Sequence, residues 1–133
     1  MIKNILLIDD DTISNFVTEH IIENYNKNIK VRIAENGYTG KKILTDETDY
    51  CCQIIFLDIN MPIMNGFEFL DWYENEYKNE TKARIVLVSS SSRKEDMEKA
   101  FSYKSVVNYI EKPIKEDILK KLEFIISQQN SSD

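Results

Sequence analysis

Apolar residues along the chain follow two rhythms. Ile5-Leu6-Leu7-Ile8, Ile54-Ile55-Phe56-Leu57 and Ile85-Val86-Leu87-Val88 are unbroken runs too short for helices, and they read as strands buried on both faces. Lys30 to Ala34, which alternates, and Ser105 to Ile110 read as two further strands. Between the runs, apolar positions recur at helical spacing. Ile13, Phe16, Val17, Ile21 and Tyr25 form one such set, which Asp11 or Thr12 can cap, and a second helix runs from Asn36-Gly37 to about Thr45. Phe67, Leu70, Tyr73 and Tyr77 mark a third helix over Gly66 to Lys78, with Phe69 and Trp72 on a neighbouring stripe. Arg93 to Tyr103 supplies a fourth, and Ile114, Ile118, Leu122 and Ile125 line a fifth. Asp46 to Tyr50 and Asn79 to Lys82 are linkers, and Lys112-Pro113 turns the chain.

Five strands alternating with five helices predict a parallel sheet covered on both faces, a doubly wound α/β domain. At 133 residues there is room for one such domain, over 1–128, followed by a polar, disordered tail from Gln129 to Asp133.

Composition narrows the functional classes. No apolar run approaches the roughly 20 residues that cross a bilayer, and the start of the chain lacks a secretory signal pattern, so membrane insertion is not expected and the expected location is cytoplasmic. The net charge of −6, with Lys and Arg scattered, disfavours direct nucleic-acid binding. Cys51 and Cys52 are adjacent, where bridging is strained, and read as packing residues. His20, the only histidine, lies in a helical pattern and is read as structural.

The chemistry gathers where strands end. Asp9 and Asp10 close the first strand, Asp58 the third and Ser89 the fourth, while Lys112 follows the fifth. Parallel strands bring their C-terminal ends to one edge, where ligands of open α/β sheets bind. Carboxylates collected there repel one another by about 4 kcal/mol per pair at 4 Å and an effective dielectric of 20, and a divalent cation relieves the repulsion. Oxygen-only ligands suit Mg²⁺, with Asp10, Asp58 and the Asn60 backbone carbonyl as the expected donors. A bound cation admits an anionic phosphoryl group, for which Asp58 is the candidate nucleophile. Lys112 and the Ser89 hydroxyl are then placed to contact phosphoryl oxygens.

With these residues in view, the sequence resembles the response-regulator receiver domain of bacterial two-component signalling. The resemblance rests on Leu7-Ile8-Asp9-Asp10-Asp11, Leu57-Asp58-Ile59-Asn60-Met61-Pro62 with Met64-Asn65-Gly66, Val88-Ser89-Ser90 and Tyr109-Ile110-Glu111-Lys112-Pro113. It covers essentially the whole chain. It implies a flavodoxin-like sheet of order 2-1-3-4-5, an order that general accounts of doubly wound folds illustrate with this family. It also implies that Asp58 is the phospho-acceptor, Asp9 and Asp10 the acidic metal-binding pair, Ser89 the switch hydroxyl, Lys112 the phosphate-contacting lysine, and Tyr109 the aromatic residue that reports the switch. Asn65 stands where an aspartate is common, and Ser90 where Ala or Gly is usual. The implied partners are a sensor histidine kinase or a histidine phosphotransfer protein as donor and a separate downstream protein as target. Output is expected through the fourth helix, fifth strand and fifth helix, with no attached effector domain.

Two rivals differ in class. A phosphohydrolase with a strand-terminal Asp nucleophile typically carries a second acid two residues on, where this chain has Asn60. A flavodoxin-like binding module needs a phosphate-cradling loop after strand one, where three aspartates would repel the ligand. A degenerate receiver serving as scaffold is disfavoured by the complete acid set. A signalling protein without classified turnover is the expected function.

Overall fold

The computed structural model describes residues 1–77, 82–90 and 93–131. Most of the Asn79–Lys82 linker, residues 91–92 of the serine run and residues 132–133 of the tail lie outside that set. Five strands, β1 (Asn4–Ile8), β2 (Lys30–Ala34), β3 (Ile54–Asp58), β4 (Arg84–Ser89) and β5 (Val106–Glu111), pair in parallel in the order β2-β1-β3-β4-β5. Helices α1 (Thr12–Tyr25), α2 (Gly37–Asp46), α3 (Gly66–Asn75), α4 (Lys94–Phe101) and α5 (Glu116–Ser131) alternate with them. The expected doubly wound architecture and strand order are both present. Helix α5 runs on to Ser131.

The unbroken apolar runs follow from this topology, because β1, β3 and β4 are central strands with helices on both sides. Leu6, Ile8, Ile55, Leu57, Ile85 and Leu87 pack with the α2, α3 and α4 side, where Phe69, Trp72 and Tyr73 form an aromatic layer beside Leu70. Ile5, Leu7, Ile54, Phe56, Val86 and Val88 pack on the other face against Ile22 of α1 and Ile118, Leu119, Leu122 and Ile126 of α5. Full burial of each large aliphatic side chain contributes about 1.5–3 kcal/mol, so these two layers dominate stability.

Two features depart from the simple pattern. Helix α1 buries Asn15, Thr18 and Ile22. The expected inward set fails at Ile13 and Phe16, which are 75% and 72% exposed, and at Val17, which is also exposed. Helical spacing identified the helix but not its inner face: the Asn15 side-chain amide donates to the Asp9 carbonyl at 2.9 Å, turning a polar stripe inward. On β5, the register against β4 passes from Ile85↔Val106 to Val86↔Asn108, so Val107 is an extra residue. Such a bulge reverses side-chain alternation, and Val106 and Tyr109 accordingly share one face.

Candidate functional site

The strand ends build the site. Asp9 follows β1, Asp58 closes β3 and Ser89 closes β4, and all three are buried. Asp10 is exposed beside them. One carboxylate oxygen from each of Asp9, Asp10 and Asp58 lies within 4.8 Å of the others. Lys112 reaches back across the edge to place Nζ 2.7 Å from Asp9 Oδ2 and 3.8 Å from Asp58 Oδ2.

Local hydrogen bonds hold this arrangement. The Asp9 carboxylate accepts from the Asp11 amide at 2.9 Å, and Asp11 caps α1 by accepting from the amides of Ile13 and Ser14. The Lys112 amide donates to the Ser89 carbonyl at 2.8 Å, tying the lysine to the end of β4; the Lys112–Pro113 bond is cis. Behind β3, the Gly66 amide donates to the Ile59 carbonyl at 2.8 Å. A Cβ on Gly66 would stand 2.5 Å from the Asp58 carbonyl oxygen, so only glycine lets the start of α3 come this close to the site strand. Asn65, where an aspartate is common, completes a capping box: it accepts from the Glu68 amide at 2.9 Å while Glu68 accepts from the Asn65 amide at 3.0 Å.

The electrostatics are those of a crowded acid cluster. Burial first, then repulsion from Asp9, push the Asp58 carboxyl up to about 7; Lys112 opposes the shift, and the contacts with Asp9 and Asp10 reinforce it. Burial alone would lower Lys112, but its hydrogen bond to Asp9 and the charges of Asp58 and Asp9 hold it above its ordinary value. Without a metal ion, Asp58 therefore holds its proton well above the usual carboxylate range. An oxygen-only cluster with that unmet demand for positive charge fits a hard divalent metal, and Asp9, Asp10 and Asp58 can hold one.

The remaining expected residues take distinct places. Asn60 is exposed just past β3. Tyr109 lies opposite Leu87 and is only 7% exposed, so its ring is already inside the fold. Cys52 is buried while Cys51 is exposed, and both thiols are free. Asn15 is a supporting residue that motif reading missed; its spacing to Thr18 and Ile22, three and seven positions on, was the available signal. Ile63, in the loop between β3 and α3, has φ 69° and is 79% exposed. A left-handed conformation costs a non-glycine residue roughly 1–2 kcal/mol, so the loop beside Asp58 is held by its surroundings and not by its own preference.

Fold and site together define a doubly wound α/β protein with a metal-competent carboxylate cluster and a lysine on the C-terminal edge of its sheet. The response regulator receiver domain family matches residues 5–123, and the chain belongs to that family. It is a phospho-accepting domain of two-component signal transduction. A crystal structure of a two-component response regulator from Cytophaga hutchinsonii superposes with a TM-score of 0.88 at 30% identity, covering 96% of this chain and 98% of that one. A CheY-like receiver domain protein from Methanospirillum hungatei has the same fold, with a TM-score of 0.79 at 23% identity and complete coverage of both chains. In sequence, the chain is 33% identical over 95 residues to hybrid signal transduction histidine kinase E of Dictyostelium discoideum, covering 68% of this chain and 5% of that protein. It is 26% identical over 117 residues to the sensory transduction protein LytT of Oceanobacillus iheyensis, covering 88% of this chain and 45% of that protein. The chain thus spans less than half the length of these curated relatives. Among the described residues, no helix is long and apolar enough to cross a membrane.

Proposed function

We propose that Asp58 is the phospho-acceptor and that its phosphoryl group comes from the phosphohistidine of a sensor histidine kinase or a histidine phosphotransfer protein. A carboxylate oxygen of Asp58 attacks phosphorus, the donor P–N bond breaks, and its electron pair returns to the imidazole nitrogen. Asp9, Asp10, Asp58 and the Asn60 backbone carbonyl would hold Mg²⁺, which neutralises oxygen charge when bound. Lys112 and the Ser89 hydroxyl contact phosphoryl oxygens. The observation that carries this reading is the placement of a buried Asp58 beside two further carboxylates, with the Lys112 ammonium 3.8 Å away. The protein acts as a substrate and switch without classified turnover, in the cytoplasm, as a receiver unit over 1–128.

Incubation with a small acyl phosphate should add one phosphoryl group to the wild type only when Mg²⁺ is present, and none to Asp58→Asn. Intact-protein mass spectrometry reads the difference. Equal labelling of both proteins would move the acceptor elsewhere, and steady release of phosphate from a generic phosphomonoester would restore the hydrolase reading.

The signal leaves through α4, β5 and α5; between β5 and α5 a cavity of about 250 Å³ is lined by residues including Asn108, Ile110, Pro113, Ile114 and Ile118. Phosphorylation need only favour one of two arrangements around the Tyr109 ring to shift their population. Shifting it from 1:99 to 99:1 takes about 5.5 kcal/mol of differential interaction. One or two charge-assisted hydrogen bonds supply roughly 1.5–3 kcal/mol each, so Lys112 and the downstream protein share the work. Ser89→Ala should keep Asp58 phosphorylation while weakening the response of the Tyr109 ring resonances to a phosphoryl mimic. A wild-type response in that variant would refute the Ser89 link.

A further inference from the structure

The opposite edge of the sheet holds a second polar hollow, unconnected with the carboxylate cluster. Six residues of β4 separate the two edges, about 17–20 Å of extended chain. The hollow has a volume of about 490 Å³ and is lined by Glu74, Lys82, Ala83, Arg84, Lys104, Ser105 and Val107. It lies where the end of α3, the start of β4 and the entry to β5 meet.

Its walls are fixed by hydrogen bonds. Glu74 accepts from the amides of Lys104 and Ser105, at 3.1 and 2.8 Å, and from the Ser105 hydroxyl. The buried Tyr73 hydroxyl accepts from the Ala83 amide at 2.7 Å and donates to the Ala83 carbonyl at 3.3 Å, which sets the approach to Arg84. Among the described residues of the wall, the single carboxylate is thus engaged by three donors. Arg84 has no ion pair among the described residues, and its Nη2 is shut away from solvent without a hydrogen-bond acceptor. A buried guanidinium donor without an acceptor is costly, and it leaves the Arg84 charge uncompensated at the wall of the hollow, where an anion would offset it.

We propose that this hollow is an anion site for a small phosphate-bearing molecule. Three cations against one carboxylate leave two positive charges, the complement of a phosphate monoester near neutral pH. Arg84 supplies a positive charge fixed at the wall, and Lys82 and Lys104 add mobile point charges. The volume falls in the range of small-molecule pockets. A long polyanion such as RNA is disfavoured, because the chain as a whole carries a net charge of −6.

Titration of the full chain with inorganic pyrophosphate, in chelator and followed by amide resonances, tests the site. Saturable shifts should centre on Arg84, Lys104 and Ser105, persist in Asp58→Asn, and lose at least tenfold in affinity in Arg84→Gln. Lys104→Ala should also weaken binding several-fold, and this exposed position keeps the test open should Arg84→Gln fail to fold. Non-saturating shifts, shifts centred on Asp9 and Asp58, or equal affinity in wild type and Lys104→Ala would overturn the proposal.

Discussion

Lys112→Ala should destabilise the metal-free protein by about 3–5 kcal/mol, the cost of removing one partner from a buried ion pair. Lys112 Nζ is 2.7 Å from Asp9 Oδ2, and both side chains are largely shielded from water. Its loss leaves Asp9 and Asp58 facing each other without a cation. Saturating Mg²⁺ should restore part of the loss, because a divalent ion held by Asp9, Asp10 and Asp58 would supply positive charge to the cluster. Thermal or urea melts of wild type and variant, in chelator and in Mg²⁺, measure both effects. A loss below 1 kcal/mol in chelator would show that the pair is better solvated than its geometry indicates.

Asp58→Asn should act in the opposite direction. The Asp58 carboxyl rises from 3.8 to about 7 in the folded chain, so between those values the folded state binds more protons than the unfolded state. The resulting contribution is fully present below about pH 4 and is lost as pH rises through 7. Above neutrality, ionised Asp58 therefore burdens the metal-free fold, and the neutral amide removes that burden. Each pH unit of displacement corresponds to about 1.4 kcal/mol; since Asn must still bury a polar group, a net stabilisation of about 1–3 kcal/mol at pH 8 is expected. The gain should vanish towards pH 4, where the wild-type carboxyl is itself protonated, and should reverse in saturating Mg²⁺. Paired melts across pH decide the matter. A variant that melts lower than wild type at pH 8 in chelator would exclude repulsion as the governing effect. Lys112→Ala and Asp58→Asn touch one cluster, so their double variant should not be additive.

The parts of this protein legible in the sequence are those imposed by local geometry. Continuous apolar runs mark β1, β3 and β4 because a central strand under two helical layers has no solvent face, and parallel pairing sends Asp9, Asp58 and Ser89 to one edge. Asn36 and Asp11 announce helix starts because a short polar side chain can reach the free amides two or three residues on. Other features required the folded chain. Helical spacing placed Ile13, Phe16 and Val17 on a helix, but the demand of the Asp9 carbonyl for the Asn15 amide chose which side faces the sheet. Alternation along β5 would separate Val106 from Tyr109; the extra residue at Val107, seen only in the pairing with β4, puts them on one face. The 2.7 Å contact between Lys112 and Asp9 and the upward shift of Asp58 likewise depend on distances and burial between segments remote in the chain. Local pattern determines which elements form; which face is buried, which register is taken and how strongly charges couple are settled by packing and desolvation, which act only once the chain is assembled.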